Sequence, residues 1–155
     1  MSTKKILGFT LTELMVVVAI VAIVAIIAGI AAPSFASMIR ENTARTQVNE
    51  LLALTNYARS EAIKRQSNIQ VAITSLGASG WKAQILSGTE LLKEMDKSGS
   101  VVSVSAVNLG FDMRGRRATG TDNCVSVSYS SYTKQLQVGL GGSLKVTSGS
   151  CPESS

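Results

Sequence analysis

The sequence predicts an α+β fold, in which one long N-terminal helix packs on a C-terminal antiparallel β-sheet domain. Two observations support this prediction. An uncharged apolar run passes into an amphipathic helical pattern, and short strand-like segments separated by glycines fill the rest of the chain. The chain has 155 residues, 45% of them hydrophobic, which is enough for one small domain and an additional apolar helix.

The apolar run covers residues 14–32 and contains no charged residue. At roughly 1.5 Å per residue, these approximately 19 positions cross a hydrocarbon core of about 30 Å. Lys4 and Lys5 precede the run, so the positive-inside rule predicts that the chain after Pro33 is exported. A cleaved secretory signal is the alternative, but its apolar core would be only about 7 to 15 residues long.

A second helical segment follows Pro33, with a stripe of residues at spacings of three and four. Polar residues such as Asn56 and Arg59 lie elsewhere around the helix. Glu61 stands four residues before Arg65, a favourable helical pair worth about 0.2 to 0.5 kcal/mol. We expect one helix from about residue 11 to about residue 66, kinked at Pro33. The stripe consists of Val48, Leu51, Leu52, Thr55, Ala58 and Ala62.

Beyond Asn68, short runs of Val, Ile, Ser and Thr predict an antiparallel sheet with glycine-containing turns. Val125, Val127 and Tyr129 alternate with serines, so one face of that strand should be buried. The predicted strands are residues 69–74, 81–86, 101–107, 125–129, 135–138 and 144–147.

The two cysteines, Cys124 and Cys151, both follow the apolar run. An exported domain would hold them where disulfides form, so we predict one bridge. The bridge would close a loop of about 27 residues and stabilise the fold by about 3 kcal/mol. Two free thiols are the alternative.

The most informative segment is residues 4–14, Lys-Lys-Ile-Leu-Gly-Phe-Thr-Leu-Thr-Glu-Leu. It resembles the class III leader and helix start of type IV pilins and type II secretion pseudopilins, with Gly8 before the cut, Phe9 after it, and Glu13 four residues further on. The resemblance implies cleavage after Gly8 by a prepilin peptidase and N-methylation of the new Phe9 amine. Pro33 departs from the family pattern, because pilins usually place their helix-kinking proline nearly one helical turn closer to Glu13.

Glu13 is the predicted assembly charge. A carboxylate deep in a bilayer costs about 2.5 to 3.5 kcal/mol, so it needs a partner, a proton or access to the interface. In a pilin-like filament, Glu13 of an incoming subunit would meet the Phe9 amine of a neighbour, and the pair would set the axial register. The alternative is a carboxylate that only marks the membrane interface.

Two further segments are similar to the GspH/FimT branch of these proteins. Residues 54–65 contain Tyr-Ala-Arg-Ser-Glu-Ala-Ile, typical of the end of that branch's helix, and residues 109–116 are similar to its phenylalanine-to-glycine strand segment. The resemblance extends to FimU-type minor pilins. It implies a subunit that helps to prime pilus assembly and sits at or near the filament tip, supporting twitching motility, adhesion or DNA uptake.

Arg114, Arg116 and Arg117 form a basic cluster, and clustered guanidinium groups bind phosphate strongly. FimT-type DNA receptors carry a Gly-Arg-any-Arg motif near the C-terminus, but the corresponding residues here, 142–145, are Gly-Ser-Leu-Lys and lack both arginines. Two interpretations stay open: a solvated basic loop, and a contact for DNA or an acidic partner. The net charge of +5 does not decide between them.

Enzymatic activity has little support in the sequence. There is no histidine, which excludes Ser–His and Cys–His arrangements, and two cysteines cannot close a tetrahedral zinc site. We therefore expect no catalytic residues, no metal and no cofactor. Trp81 is expected to be a core or interface aromatic.

The predicted organisation has four parts: a cleaved leader at 1–8, a transmembrane and assembly half-helix at 9–33, an amphipathic half-helix at 34–67 and a β-rich globular domain at 68–155. A minor type IV pilin is the predicted function. A DNA-binding FimT-type minor pilin for natural transformation and a GspH-like minor pseudopilin of type II secretion are the alternatives. The expected partners are other minor and major pilins, the prepilin peptidase/N-methyltransferase, the inner membrane and, in the second case, DNA. The expected location is a single pass of the inner membrane with a periplasmic domain, then the extracellular pilus.

Overall fold

The computed structural model describes residues 9–152, without the side chains of residues 30–34, 37 and 40. This part of the chain begins with one long helix, α1 (Leu11–Arg65), and Pro33 lies inside it. The chain divides into two compact units, Met1–Ile39 and Arg40–Ser155. The strands are β1 (Ile69–Ser75), β2 (Gly80–Ser87), β3 (Glu90–Ser98), β4 (Ser103–Val104), β5 (Val107–Phe111), β6 (Cys124–Tyr129), β7 (Tyr132–Val138) and β8 (Leu144–Ser148).

The first unit contains the apolar part of α1. Leu11–Gly29 has a mean hydropathy of 2.9 and is 0% buried, and it is long and apolar enough to cross a membrane. Its aliphatic side chains point outward all round the helix, so no single face is reserved for a core within this unit.

The second unit has two antiparallel sheets where the sequence predicts one. Their strand orders are β3-β2-β1-β5 and β4-β6-β7-β8. The predicted strand at residues 101–107 is wrong as a single element, because β4 joins the second sheet and β5 the first. The chain changes sheets at Ser105 and Ala106, which lie between the two strands.

β3 is missing from the sequence prediction. It pairs with β2 along its length, yet five of its nine residues are charged. Lys and Glu are poor strand formers in general, but they suit the outer strand of a sheet, where their side chains reach solvent. The charged composition therefore hid an edge strand.

The amphipathic part of α1 packs against both sheets within the second unit. Every position of the predicted stripe is buried except Leu52, which is partly buried, and one hydrophobic cluster joins the stripe to residues of both sheets. The helix ends at Arg65, close to the predicted stop, because Gln66 takes a left-handed backbone conformation with φ of 50°.

Trp81 lies in this core and is 0% exposed. Its indole Nε1 donates a hydrogen bond to Gln47 Oε1 at 2.7 Å, and Gln47 Nε2 donates to Ser100 Oγ at 2.7 Å. A buried indole N–H needs such a partner, and the helix residue Gln47 supplies it. Trp81 is therefore a core residue, as predicted.

Candidate functional site

The start of α1 carries the residues predicted for maturation and assembly. Gly8 and the rest of the predicted leader lie outside the described residues. Phe9 is exposed, and Glu13 is exposed in the first helical turn. Both side chains are therefore accessible to a neighbouring molecule.

Thr10 caps this helix, a feature that the sequence prediction missed. Its Oγ1 accepts a hydrogen bond from the backbone N–H of Glu13 at 3.2 Å. Thr10 and Glu13 have the Thr-x-x-Glu spacing of a capping box, and this pattern could have revealed the cap. A carboxylate in the first turn also interacts favourably with the helix dipole. Glu13 thus lies on a capped first turn, four residues after Phe9.

The helix end typical of the GspH/FimT branch contacts two loops of the second unit. Arg59 Nε donates to Gly115 O at 2.9 Å, in the arginine loop (residues 112–117), and Arg59 Nη2 donates to Gly141 O at 3.5 Å, in the glycine loop (residues 139–143). The sequence pattern places Arg59 outside the apolar stripe and does not reveal these two contacts. One guanidinium joins the helix to both loops.

Glycines make this close approach possible. Gly115 has φ of 73°, and a Cβ there would lie 2.6 Å from Ile63 Cδ1. Gly142 has φ of 76°, and a Cβ there would collide with Gly115 O. Both positions combine a backbone conformation that favours glycine with a lack of space for any side chain.

The three arginines of the basic cluster have different surroundings. Asp112 accepts hydrogen bonds from the backbone N–H groups of Arg114 and Arg116, each at 2.9 Å, and pairs with the Arg116 guanidinium at 3.1 Å. The backbone N–H of Arg116 is the main cause that lowers the pKa of Asp112. Arg116 is therefore neutralised in part, Arg114 is exposed, and Arg117 is half-buried with its backbone N–H bound to Leu140 O.

A surface depression of about 440 Å³ lies beside Arg117, and we call it the cationic hollow. Among residues 9–152, its lining contains two cations and no aspartate or glutamate. The sequence prediction missed it, because its residues come from four separate segments. They include Arg117, Asn123, Gln137, Ser143, Lys145 and Pro152.

A disulfide joins Cys124 to Cys151, as the sequence predicts. Cys124 is in β6, and the backbone N–H of Cys151 also donates to Ser126 Oγ at 2.7 Å. The segment after β8 is thereby tied to β6. Within the described residues, no group of three or more His, Cys, Asp or Glu side chains is placed to hold a metal ion.

Glu61 and Arg65 form the predicted ion pair, with Nε and Oε2 2.7 Å apart. The hydrogen bond from Arg65 is the main cause that lowers the pKa of Glu61. Arg65 also reaches Glu90 at 3.4 Å, so the pair extends to β3. It therefore fastens the helix end to the first sheet.

Two family comparisons match different parts of the chain. The Prokaryotic N-terminal methylation motif matches residues 3–29, and Type II transport protein GspH matches residues 47–142. With an exposed apolar helix and two antiparallel sheets, these matches define a type IV pilin-like protein, a class of structural subunits. The chain belongs to the GspH family, which confirms the resemblance to the GspH/FimT branch.

Two crystal structures of the type IV minor pilin FimU from Pseudomonas aeruginosa have a similar fold. The first aligns with a TM-score of 0.57 at 18% identity, covering 68% of this chain and 89% of that chain. The second, from another crystal form, aligns with a TM-score of 0.53 at 18% identity, covering 66% of this chain and 91% of that chain. At this identity the likeness concerns the fold. No curated protein matches the chain.

Proposed function

We propose that this protein is a minor pilin of a type IV pilus, a structural subunit without catalytic activity. The observation that supports it most is the apolar helix Leu11–Gly29, which is 0% buried. Such a surface needs lipid or other apolar helices around it, and a bundle of pilin helices supplies them. The GspH family and the FimU-like fold agree with this role.

Maturation follows from the same proposal. A prepilin peptidase removes residues 1–8, and the new Phe9 amine is methylated, as the match to the methylation motif supports. Residues 9–33 then hold the chain in the inner membrane, residues 34–67 contain the rest of the helix, which ends at Arg65, and residues 68–155 form a periplasmic domain that later becomes extracellular. The subunit helps to prime assembly and sits at or near the filament tip.

Glu13 acts in assembly as the partner of a neighbour's Phe9 amine. The carboxylate is exposed on a capped turn, so an incoming amine can reach it without unfolding the helix. Opposite charges that meet in an apolar bundle favour one axial register, because any other leaves a charge unpaired.

Glu13→Gln tests this proposal in the native host. We expect the variant to lose its leader normally, shown by the intact mass of the mature chain, but to fall about tenfold or more in sheared pili. Glu41→Gln is the matched control, because among the described residues Glu41 forms an ion pair only with the exposed Arg45 of its own helix, at 2.6 Å. Equal incorporation of both variants, or a functional protein that retains residues 1–8, would contradict the proposal.

A minor pseudopilin of a type II secretion system is the second candidate, favoured by the description of the matched family, Type II transport protein GspH. Co-purification decides between the two candidates. The full chain captured from membranes should bring down minor pilins of the pilus, whereas recovery of secretion-system pseudopilins would favour the second candidate. Neighbouring genes for pilus minor subunits would favour the pilin, and neighbouring genes for a secretion system would favour the pseudopilin.

DNA uptake through the basic cluster has weaker support, because the Arg116 guanidinium already forms an ion pair with Asp112. Salt-dependent binding of duplex DNA, lost in the Arg116→Ala, Arg117→Ala double variant, would favour that function.

A further inference from the structure

The two sheets have four edges, and three of them are protected. β3 carries a charged composition, with Lys82 of its neighbour β2 bound to Glu94 at 2.8 Å. β4 has only two residues. The outer side of β5 is covered by the following loop, in which Asp122 exchanges hydrogen bonds with Asn108 and Ala118 donates to Gly110 O. Charge, short length and a covering loop all prevent strand addition.

β8 is the fourth edge, and no strand within residues 9–152 pairs with its outer side. Two flanking bonds fix which backbone groups face β7: Gly139 N donates to Ser143 O at 2.8 Å, and Gly149 N donates to Thr133 O at 3.1 Å. Because such bonds alternate along an antiparallel pair, the register directs the Lys145 and Thr147 backbone groups toward β7. The backbone groups that face outward are those of Leu144, Val146 and Ser148.

The cationic hollow lies at the beginning of this edge strand. Lys145 lies opposite Gln137 of β7, which in turn lies opposite Cys124 of β6, so the three residues form one row across the sheet. Arg117 completes the positive charge of the hollow. Neither cation has a carboxylate partner among the described residues, so the hollow favours an acidic group.

The geometry points to β8 as a docking edge for an extended acidic segment of a neighbouring filament subunit. The segment adds a strand to the second sheet through Leu144, Val146 and Ser148, and places a carboxylate in the cationic hollow between Arg117 and Lys145. Backbone hydrogen bonds supply affinity and the hollow supplies selectivity. This inference rests on the proposed function in one respect, that the segment comes from another subunit.

A peptide fits these observations better than a nucleic acid does. The outward N–H and C=O groups of β8 alternate at the spacing that the backbone of a second strand would match. Phosphodiesters offer acceptors but no donors, so they cannot pair with the outward C=O groups. A second copy of β8 fits poorly as well, because Lys145 would then bring a second cation to the same edge.

A synthetic probe tests the docking edge with the full chain in detergent. The probe is a blocked peptide of about six residues that alternates valine with threonine and ends in two glutamates. We expect binding by fluorescence anisotropy and slower hydrogen exchange at the Leu144, Val146 and Ser148 amides. The Lys145 and Thr147 amides serve as internal controls, since β7 already protects them.

Variants separate the charge from the edge. Arg117→Gln and Lys145→Gln should each weaken binding about fivefold, as should a peptide with glutamines in place of glutamates. Arg114→Gln is the matched control, because it removes an exposed arginine outside the hollow and should leave binding unchanged. Val146→Pro removes one outward N–H without touching the bonds to β7 and should weaken binding about tenfold at an unchanged melting temperature.

Several results would overturn the inference. These are equal binding of the glutamine peptide, protection of β3 in place of β8, and duplex DNA binding that Lys145→Gln abolishes without any peptide binding. Protection of the three amides that rises with the concentration of the chain alone would assign the edge to a second copy. Peptide binding by a chain that fails to enter pili would reject the pilin role while leaving the docking edge intact.

Discussion

Arg59 Nε and Gly115 O are 2.9 Å apart, although 56 positions separate the two residues in sequence. The bond joins the end of the amphipathic helix to the arginine loop. The same guanidinium reaches Gly141 O, so two loops that have no regular secondary structure of their own are held by one helix residue. The orientation of the arginine loop therefore depends on the helix.

Arg59→Ala should lower the free energy of unfolding by about 1 to 2 kcal/mol, because it removes charged hydrogen bonds to two carbonyl groups. Thermal unfolding followed by circular dichroism measures the change. Arg114→Ala, at an exposed arginine of the same loop, should stay within about 0.5 kcal/mol of the parent. Equal effects of the two variants would show that the Arg59 contacts contribute nothing.

Gly115→Ala should destabilise the protein more than Gly120→Ala. Both glycines have positive φ, 73° and 75°, so both substitutions strain the backbone by about 1 kcal/mol. A Cβ at Gly115 meets the Ile63 side chain, whereas no atom of the described residues lies within 4 Å of a Cβ at Gly120. The difference between the two melting temperatures isolates the packing term, and a larger loss for Gly120→Ala would contradict this account.

Replacing Cys124 and Cys151 by serine should cost about 3 kcal/mol, since the bridge closes a loop with a sequence separation of 27 residues. Hydrogen exchange should also rise at Cys124–Tyr129, to which the segment after β8 is tied. The parent protein in reducing buffer is the matched control and should behave like the variant. Unchanged stability in both would mean that the hydrogen bond from Cys151 to Ser126 holds the segment without the bridge.

Asp112→Asn should lower the free energy of unfolding at neutral pH and change it little at acidic pH. The pKa of Asp112 is lowered in the folded state, so its stabilising contribution is present above the unfolded value of about 3.9 and is lost as the pH falls through the folded value. Urea unfolding of parent and variant between about pH 7 and pH 2 measures this difference. If the difference in unfolding free energy between parent and variant were constant with pH, the charge of the Asp112 carboxylate could not be its cause.

Local patterns predicted the helix and most strands, because their signals lie within a few residues. The stripe around Leu51 and Ala58 has the helical period, and the alternation in β6 has the strand period. The exchange of sheets between β4 and β5 could not be predicted in this way. Nothing local to Ser105 and Ala106 records which neighbouring strand each segment will join.

The candidate sites divide along the same line. The residues around Glu13 are contiguous in sequence, so a motif reveals them, and even the Thr10 cap has a recognisable spacing. The partners of Arg59 lie 56 and 82 positions away, and the cationic hollow draws on residues from Arg117 to Pro152. Only the folded topology brings such groups together, so a single sequence cannot reveal them.

The unburied helix Leu11–Gly29 also limits how a molecule of this protein can travel. Each apolar Å² exposed to water costs about 25 cal/mol, so a free aqueous monomer is strongly disfavoured. Under the proposed function, entry into a fibre then replaces lipid tails by neighbouring helices directly. Each subunit would then pass from the bilayer into the apolar helix bundle of the filament without a water-soluble intermediate.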